Sequence, residues 1–251
     1  MLSAQTPQVP SGGALQRAIV EHLGRRIVLG ELPPGTLLNM DDLTVELGVS
    51  RSVIREAVSV LASLGLVRSR KRKGTTVRDV SHWRALSPDI ISWRLDDPNQ
   101  RDDQFRSLIE FRVAVEPKAA NLAAQRASEY AGDQLIELAL QMQSAGVKGP
   151  TDLFLTLDTR FHNTILLLSE NALFASMGII VSETLAGRHR LGLMPPERPN
   201  IDAMQWHIDL ARAIREGRSL DAQTVAFDIV KQSEQELYEV ASRKPEPCVE
   251  A

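Results

Sequence analysis

Between Asp42 and Arg78 the chain alternates short apolar-periodic runs with glycines, and this punctuation constrains it more than any other feature. Leu43, Val45 and Leu47 share one face of a short helix that Asp42 can cap and Gly48 ends. Ser50 then stands as N-cap of another helix, running from Arg51 to about Leu64 and stopped by Gly65. Leu66-Val67-Arg68 and Thr75-Thr76-Val77-Arg78 are β-rich runs, joined by the basic stretch from Ser69 to Gly74. Upstream, Leu15, Ile19, Leu23 and Ile27 recur at helical spacing until Gly30, and Glu31 to Gly35 form a Pro-Gly turn.

Helix, helix–turn–helix and two-stranded wing is the order of a winged helix-turn-helix. In the helix after the turn, Ile54, Ala57, Val58, Leu61 and Leu64 fall on one side and Arg51, Ser52, Arg55 and Ser59 on the other. An apolar back and an Arg/Ser front suit a helix lying in a DNA major groove, where arginine bonds guanine O6 and N7 and small hydroxyls reach phosphates or bases. Gly74 at the wing tip lets backbone approach the minor groove, with Arg70, Lys71, Arg72 and Lys73 supplying phosphate contacts. The plainer alternative is a solvated amphipathic helix followed by a charged loop.

Taken as one number, the net charge of −3 for 251 residues argues against nucleic acid. The sign is not uniform, however. Residues 1–80 carry 11 Lys+Arg against 7 Asp+Glu, a balance of +4, and the remainder carries 18 against 25, a balance of −7. Such asymmetry points to two modules with different partners. With aromatics at only 4%, the core must be built from Leu, Ile, Val and Ala. Cys248, the single cysteine, excludes an intrachain disulfide framework and a cysteine zinc site. No apolar run approaches the ~20 residues that span a bilayer, and the first residues lack the pattern of a secretory leader. A cytoplasmic protein without a membrane partner is expected.

Residues 1–11 are expected to be a disordered tail, 12–80 the DNA-binding domain, and 81–100 a linker held by Trp83 and Trp93. From there to residue 244 the pattern is helical, at about 101–127, 129–145, 151–168, 171–190, 201–216 and 219–243, followed by a tail at 245–251. The expected fold is mainly α.

The helical half holds a second constellation. Asp158 and His162 lie at i, i+4 on one face of a helix that is apolar nearly all round, so both should be buried, within reach of one ion. His207 on a later helix is a candidate third ligand. A structural hydrogen-bonded Asp–His pair is the competing interpretation.

The run from Leu43 to Val67 resembles the signature of the GntR superfamily of bacterial regulators, and the upstream Gly30…Pro34-Gly35 turn is similar. That resemblance implies operator contacts from Arg51, Arg55 and Gly74. At the start of the second helix Asp41 or Asp42 stands where some members carry a base-contacting Arg. The stretch from Leu108 to Ala124, then Asp158…Phe161-His162 and His207…Ile214…Gly217, resemble in order the motifs of the FCD domain of the FadR subfamily. This implies a divalent metal (zinc, nickel or manganese) on Asp158, His162 and His207, and an effector carboxylate on Arg112. A buried salt bridge from Arg112 to Glu116 or Asp158 is the alternative. Counting from His207 puts Ile229 where the fourth ligand, a His, is found in metal-containing members, with Asp228 beside it; His189 matches no ligand position.

The run from Pro88 to Leu95 resembles a segment of sugar-acid-responsive members, which implies an aldonate or aldarate effector. Lactate, a dicarboxylate or an aromatic acid are alternatives. The expected protein is a homodimeric transcriptional regulator, a repressor that binds double-stranded operator DNA until a small organic acid enters the metal-containing pocket, with an activator as the alternative. A metal-dependent enzyme and an effector-independent architectural DNA-binding protein are the other classes weighed. The first lacks a paired general base or an H-E-x-x-H motif.

Overall fold

The computed structural model describes residues 12–147, 151–192 and 201–242. The expected tails at 1–11 and 245–251, Cys248, and most of the interhelical breaks at 146–150 and 192–200 lie outside the described residues. Contacts divide the chain after Arg101 into two compact units.

The first unit is built as its glycines and apolar spacing dictate. Helix α1, Gly12–Val28, buries Ile19, Val20, Leu23 and Ile27. Helix α2, Met40–Leu47, starts two residues before the expected cap: Asn39 rather than Asp42 accepts the free amide, from Asp41 N. It ends at Gly48 in the left-handed conformation, φ 64, whose N–H closes on Thr44 O. That turn aims helix α3, Arg51–Ser63, whose Ile54, Ala57, Val58 and Leu61 are buried against α1 and α2. Ser50 occupies the N-cap position but caps no amide; its hydroxyl meets that of Ser52 at 2.9 Å.

The wing strands β2, Val67–Arg70, and β3, Gly74–Val77, pair antiparallel, with Arg68 opposite Thr76 and Arg70 opposite Gly74. A third strand, β1, Leu37–Leu38, pairs with β3 on its other side to give the order β1-β3-β2. Two residues carry no period of their own, so this strand left no local signal.

Residues 88–96, expected within a linker, form helix α4 (Pro88–Asp96), with Pro88 in the first turn where its missing N–H costs nothing. Trp93 is 1% exposed and sits directly over Gly24 of α1: a Cβ there would lie 2.2 Å from the indole. Ion pairs from Arg17 to Asp89 and from Arg25 to Asp96 flank that contact, and Gln100 Nε2 donates to Val28 O at 2.8 Å. Trp83 Nε1 donates to Arg78 O. The segment is thereby part of the first unit's core.

In the second unit, α5 (Arg101–Arg126), α6 (Glu129–Gly146), α7 (Asp152–Leu168), α10 (Ile201–Arg215) and α11 (Ser219–Ser242) follow the expected segments. The expected helix 171–190 is instead two, α8 (Ala172–Ser176) and α9 (Gly178–Arg190), broken at Met177. Gly178 lets α9 approach α7, since a Cβ there would meet Asn163 Oδ1 at 2.6 Å. The core is aliphatic with little aromatic content: Leu135, Met142, Ile165, Leu185, Ile208 and Ile214 around Phe161, with Ala119, Ala120 and Ala123 letting α5 pack closely.

Candidate functional site

The front of α3 stands clear of the first unit's core. Arg51, Ser52 and Arg55 are exposed, as are Arg70, Lys73 and Gly74 on the wing. Arg51 Nη1 lies 3.1 Å from Asp41 Oδ1, so the acid noted at the head of the second helix is turned onto a candidate base-reading arginine. Both side chains are about two-thirds exposed, and the pair is weak in water. Gly74 has a reason of its own: φ is 80, and a Cβ would lie 2.8 Å from the Leu37 side chain. The hairpin itself requires glycine at that place, whatever approaches it from outside. Arg68 and Arg78, passed over in the sequence, share the outward face with Arg70, as period-two alternation along the strands dictates.

The second unit buries a connected set of charges. Helix α5 supplies Arg112 and Glu116 one turn apart, α7 supplies Asp158 and His162, and α10 supplies His207. All five are at most 7% exposed. The Arg112 guanidinium is bonded through Nε and Nη2 to Glu116, the salt bridge weighed above as the alternative for this arginine. Glu116 Oε2 accepts from His162 Nδ1 at 2.6 Å; His162 Nε2 lies 3.3 Å and His207 Nε2 3.8 Å from the same Asp158 oxygen. Phe161 meets both imidazoles edge-on, with ring centroids 5.7 and 5.2 Å away. Nη1 of Arg112 is buried without a hydrogen-bond partner.

The electrostatics follow from this closure. Burial opposes ionisation of Glu116, but the Arg112 and His162 charges overcome it and hold the carboxyl at about 2. Burial likewise opposes charging of His162, and is outweighed by Glu116 and Asp158, which push the imidazole up to about 9. Asp158, disfavoured by burial, is drawn below the usual carboxylate range by His162. At neutral pH, Arg112 and His162 are cationic and Glu116 and Asp158 anionic.

One ligand atom from each of Asp158, His162 and His207 falls within 4.8 Å of the others. A tetrahedral ion with bonds of ~2.1 Å separates its ligands by ~3.4 Å, so the spacings to Asp158 fit with little adjustment. Glu116 on Nδ1 orients Nε2 of His162 toward that point, the arrangement in which a carboxylate behind a histidine fixes its tautomer and aim. The sequence offers Glu116 only as a salt-bridge partner of Arg112, at i, i+4; its contact with His162 has no local signal.

Ile229 is 4% exposed within the apolar core, so the place expected for a fourth ligand faces inward but presents hydrocarbon. Asp228 is exposed and turned away from the core, so it is no substitute. His189 is bonded at the surface to Asp152 at 3.1 Å. Arg188, a further buried cation not singled out in the sequence, donates to Ser233 Oγ at 3.0 Å.

Residues 15–77 match the model of bacterial regulatory proteins of the gntR family, and residues 107–231 match the FCD domain. The regulator YieP of Escherichia coli is 32% identical over 178 residues, covering 70% of this chain and 75% of its own. The chain belongs to the GntR family, FadR-like subfamily. A putative L-lactate dehydrogenase operon regulatory protein of E. coli is 31% identical over 163 residues, 61% of this chain and 60% of that one. Among solved structures, Listeria monocytogenes Lar superposes with a TM-score of 0.58 at 18% identity, over 93% of this chain and 99% of that one; this likeness bears on fold alone. GntR membership makes this protein a DNA-binding transcriptional regulator and not an enzyme. Among the described residues no helix is long and apolar enough to cross a membrane.

Proposed function

We propose that this GntR regulator is a cytoplasmic homodimer that represses a catabolic operon and is released by a small hydroxycarboxylate. Two copies of α3 would present Arg51, Ser52 and Arg55 to successive major grooves of a pseudo-palindromic operator, with Ser50, Arg70, Lys73 and Gly74 alongside the backbone. The observation that carries the effector reading is the partnerless Nη1 of Arg112, wholly buried beside Glu116 in a cluster that also holds three metal-competent ligands. A buried guanidinium N–H without an acceptor is costly, and a carboxylate is the group that satisfies it with charge as well as geometry.

The donor set of one carboxylate and two imidazoles suits a borderline divalent cation such as zinc, with nickel or manganese as other candidates. Asp158, His162 and His207 would hold it, and the ion would add positive charge facing the effector. Open coordination positions suit a ligand offering a carboxylate and an adjacent hydroxyl. Aldonates and lactate both have that chemistry, and the L-lactate operon relative supports the class.

Effector binding would favour a dimer geometry that no longer fits the half-site spacing, which requires unequal affinity for the two geometries. Thermal-shift measurements with aldonates, aldarates and L-lactate, each with and without zinc, nickel or manganese, test the pocket. A native-state binder raises the melting temperature by an amount that grows with ligand concentration. If no acid shifts it under any metal condition, the effector reading fails.

A further inference from the structure

The outer face of the wing carries a feature distinct from its tip. Strand alternation turns Val67, Thr75 and Val77 inward, and Arg68, Arg70, Gly74 and Thr76 outward. The register sets Arg68 directly across from Thr76 and Arg70 across from Gly74, so arginines on β2 stand above small residues on β3. Two residues beyond Thr76 the same alternation brings Arg78 to this face. Asp79 then caps the short 3-10 turn Val80–His82, and this fold-back returns His82 to the base of the strand. The result is an open cleft of about 440 Å³ lined by Arg68, Arg70, Lys73, Arg78 and His82 together with the small residues Gly74 and Thr76.

The charge of this cleft is not answered within the fold. Arg17, Arg25, Arg26 and Arg51 of the same unit are ion-paired, whereas among the described residues no ion pair involves Arg68, Arg70, Lys73 or Arg78. Asp79 is the one acid on the rim, and its carboxylate is spent on the Ser81 amide at 3.0 Å. A shallow trough with three forked donors, whose one acid is already engaged by a backbone amide, fits a phosphodiester, which offers paired oxygens to guanidinium groups.

We infer that this cleft is a binding site for backbone phosphates of duplex DNA, with Arg68 and Arg78 as its gripping residues. The site lies along the flank of the wing, and its base at Arg78 is four residues, ~13 Å, from Gly74. It therefore extends the contact with the duplex beyond what α3 and the wing tip reach. The inference rests on the reading of the first unit as the DNA-binding module. It assigns to the flank affinity that is independent of sequence.

The test uses the full chain and two 30-bp duplexes, one of random sequence and one selected from a random pool by the wild-type protein. Dissociation constants are measured from 50 to 200 mM KCl for wild type, the double variant R68Q/R78Q, the charge-preserving R68K/R78K, and R55Q. Removing two phosphate contacts lowers the magnitude of the log K against log salt slope by about 2 and weakens both duplexes by a similar factor. R68K/R78K restores most of the slope. Far-UV circular dichroism and an unchanged melting temperature establish that the variants are folded.

An unchanged slope in folded R68Q/R78Q overturns the assignment, and so does a loss confined to the selected duplex. A third arm titrates inorganic phosphate by thermal shift. If R68Q/R78Q abolishes a phosphate-dependent shift but leaves the duplex slope intact, the site serves free phosphate and the DNA assignment is wrong. R55Q separates this proposal from the function reading. If it leaves the preference for the selected duplex untouched, the recognition helix is misassigned, while the salt slope still judges the cleft.

Discussion

The two units place their charges in opposite ways. On the first, Arg55, Arg68 and Arg70 are exposed on α3 and the wing, with Arg78 half-buried just beyond β3, and no ion pair involves them among the described residues. In the second, Arg112 and His162 are sealed from water and answered by Glu116 and Asp158 within one cluster. An exposed cation is solvated and costs the fold little, so it is free to meet an external anion. A buried cation must be neutralised where it stands, or the fold loses several kcal/mol. The first arrangement suits a polyanion of any sequence, and the second a small ligand that can replace one internal partner by another.

Breaking the closed cluster should have the largest effect. Glu116→Gln leaves Arg112 and His162 buried beside a neutral amide, and should lower unfolding stability by about 3–5 kcal/mol in urea melts. A loss below about 1 kcal/mol would mean that water reaches the cluster and that the two units differ less in how they solvate charge.

The pH response follows from the same groups. The folded-state pKa of His162, about 9, lies above its ordinary 6.5, so its contribution is complete below pH 6.5 and fades as pH rises through about 9. Glu116, at about 2 against 4.5, contributes above pH 4.5 and loses that contribution as pH falls through about 2. The contribution of this cluster to the stability of the metal-free protein should therefore be greatest between about pH 4.5 and 6.5 and decline toward pH 9, as measured by chemical denaturation across that range. With saturating zinc the alkaline decline should shrink, because metal binding requires His162 deprotonated at one nitrogen and is favoured as pH rises.

On the open surface the effects are smaller in stability and larger in recognition. Arg55→Ala should leave the melting temperature unchanged while removing specific footprinting on a selected operator, a discrimination of about 1–3 kcal/mol. His207→Ala should leave effector-free DNA binding intact and make release insensitive to the acid that shifts the wild type. The smallest effect belongs to the exposed Arg51–Asp41 pair. Asp41→Ala should change stability by less than about 1 kcal/mol and raise affinity for random-sequence DNA, since a carboxylate leaves a phosphate-facing surface. No gain in that affinity would show that Asp41 faces away from the duplex.

What was legible in the sequence was local. Gly48 demands a left-handed turn, the apolar positions Ile54, Ala57, Val58 and Leu61 repeat at helical spacing, and Asp158 and His162 share a helix face by arithmetic alone. These signals sit within a few residues of one another, so most of the helices and the Asp158–His162 pair could be read directly. The strand β1 could not, because its two residues acquire meaning only from Thr75 and Thr76 across the sheet.

Tertiary structure decided the rest, by bringing distant residues together. It seated Trp93 on Gly24 and so drew residues 88–96 into the first unit. It turned Asp41 onto Arg51, and it folded Asp79 back so that Arg78 and His82 close a cleft with Arg68. It also set Glu116 between Arg112 and His162, which sequence spacing offered only as a partner for the arginine. A charge's protonation and partners depend on what surrounds it in three dimensions. The sequence determined which groups each unit carries, and packing decided which of them face water and which face one another.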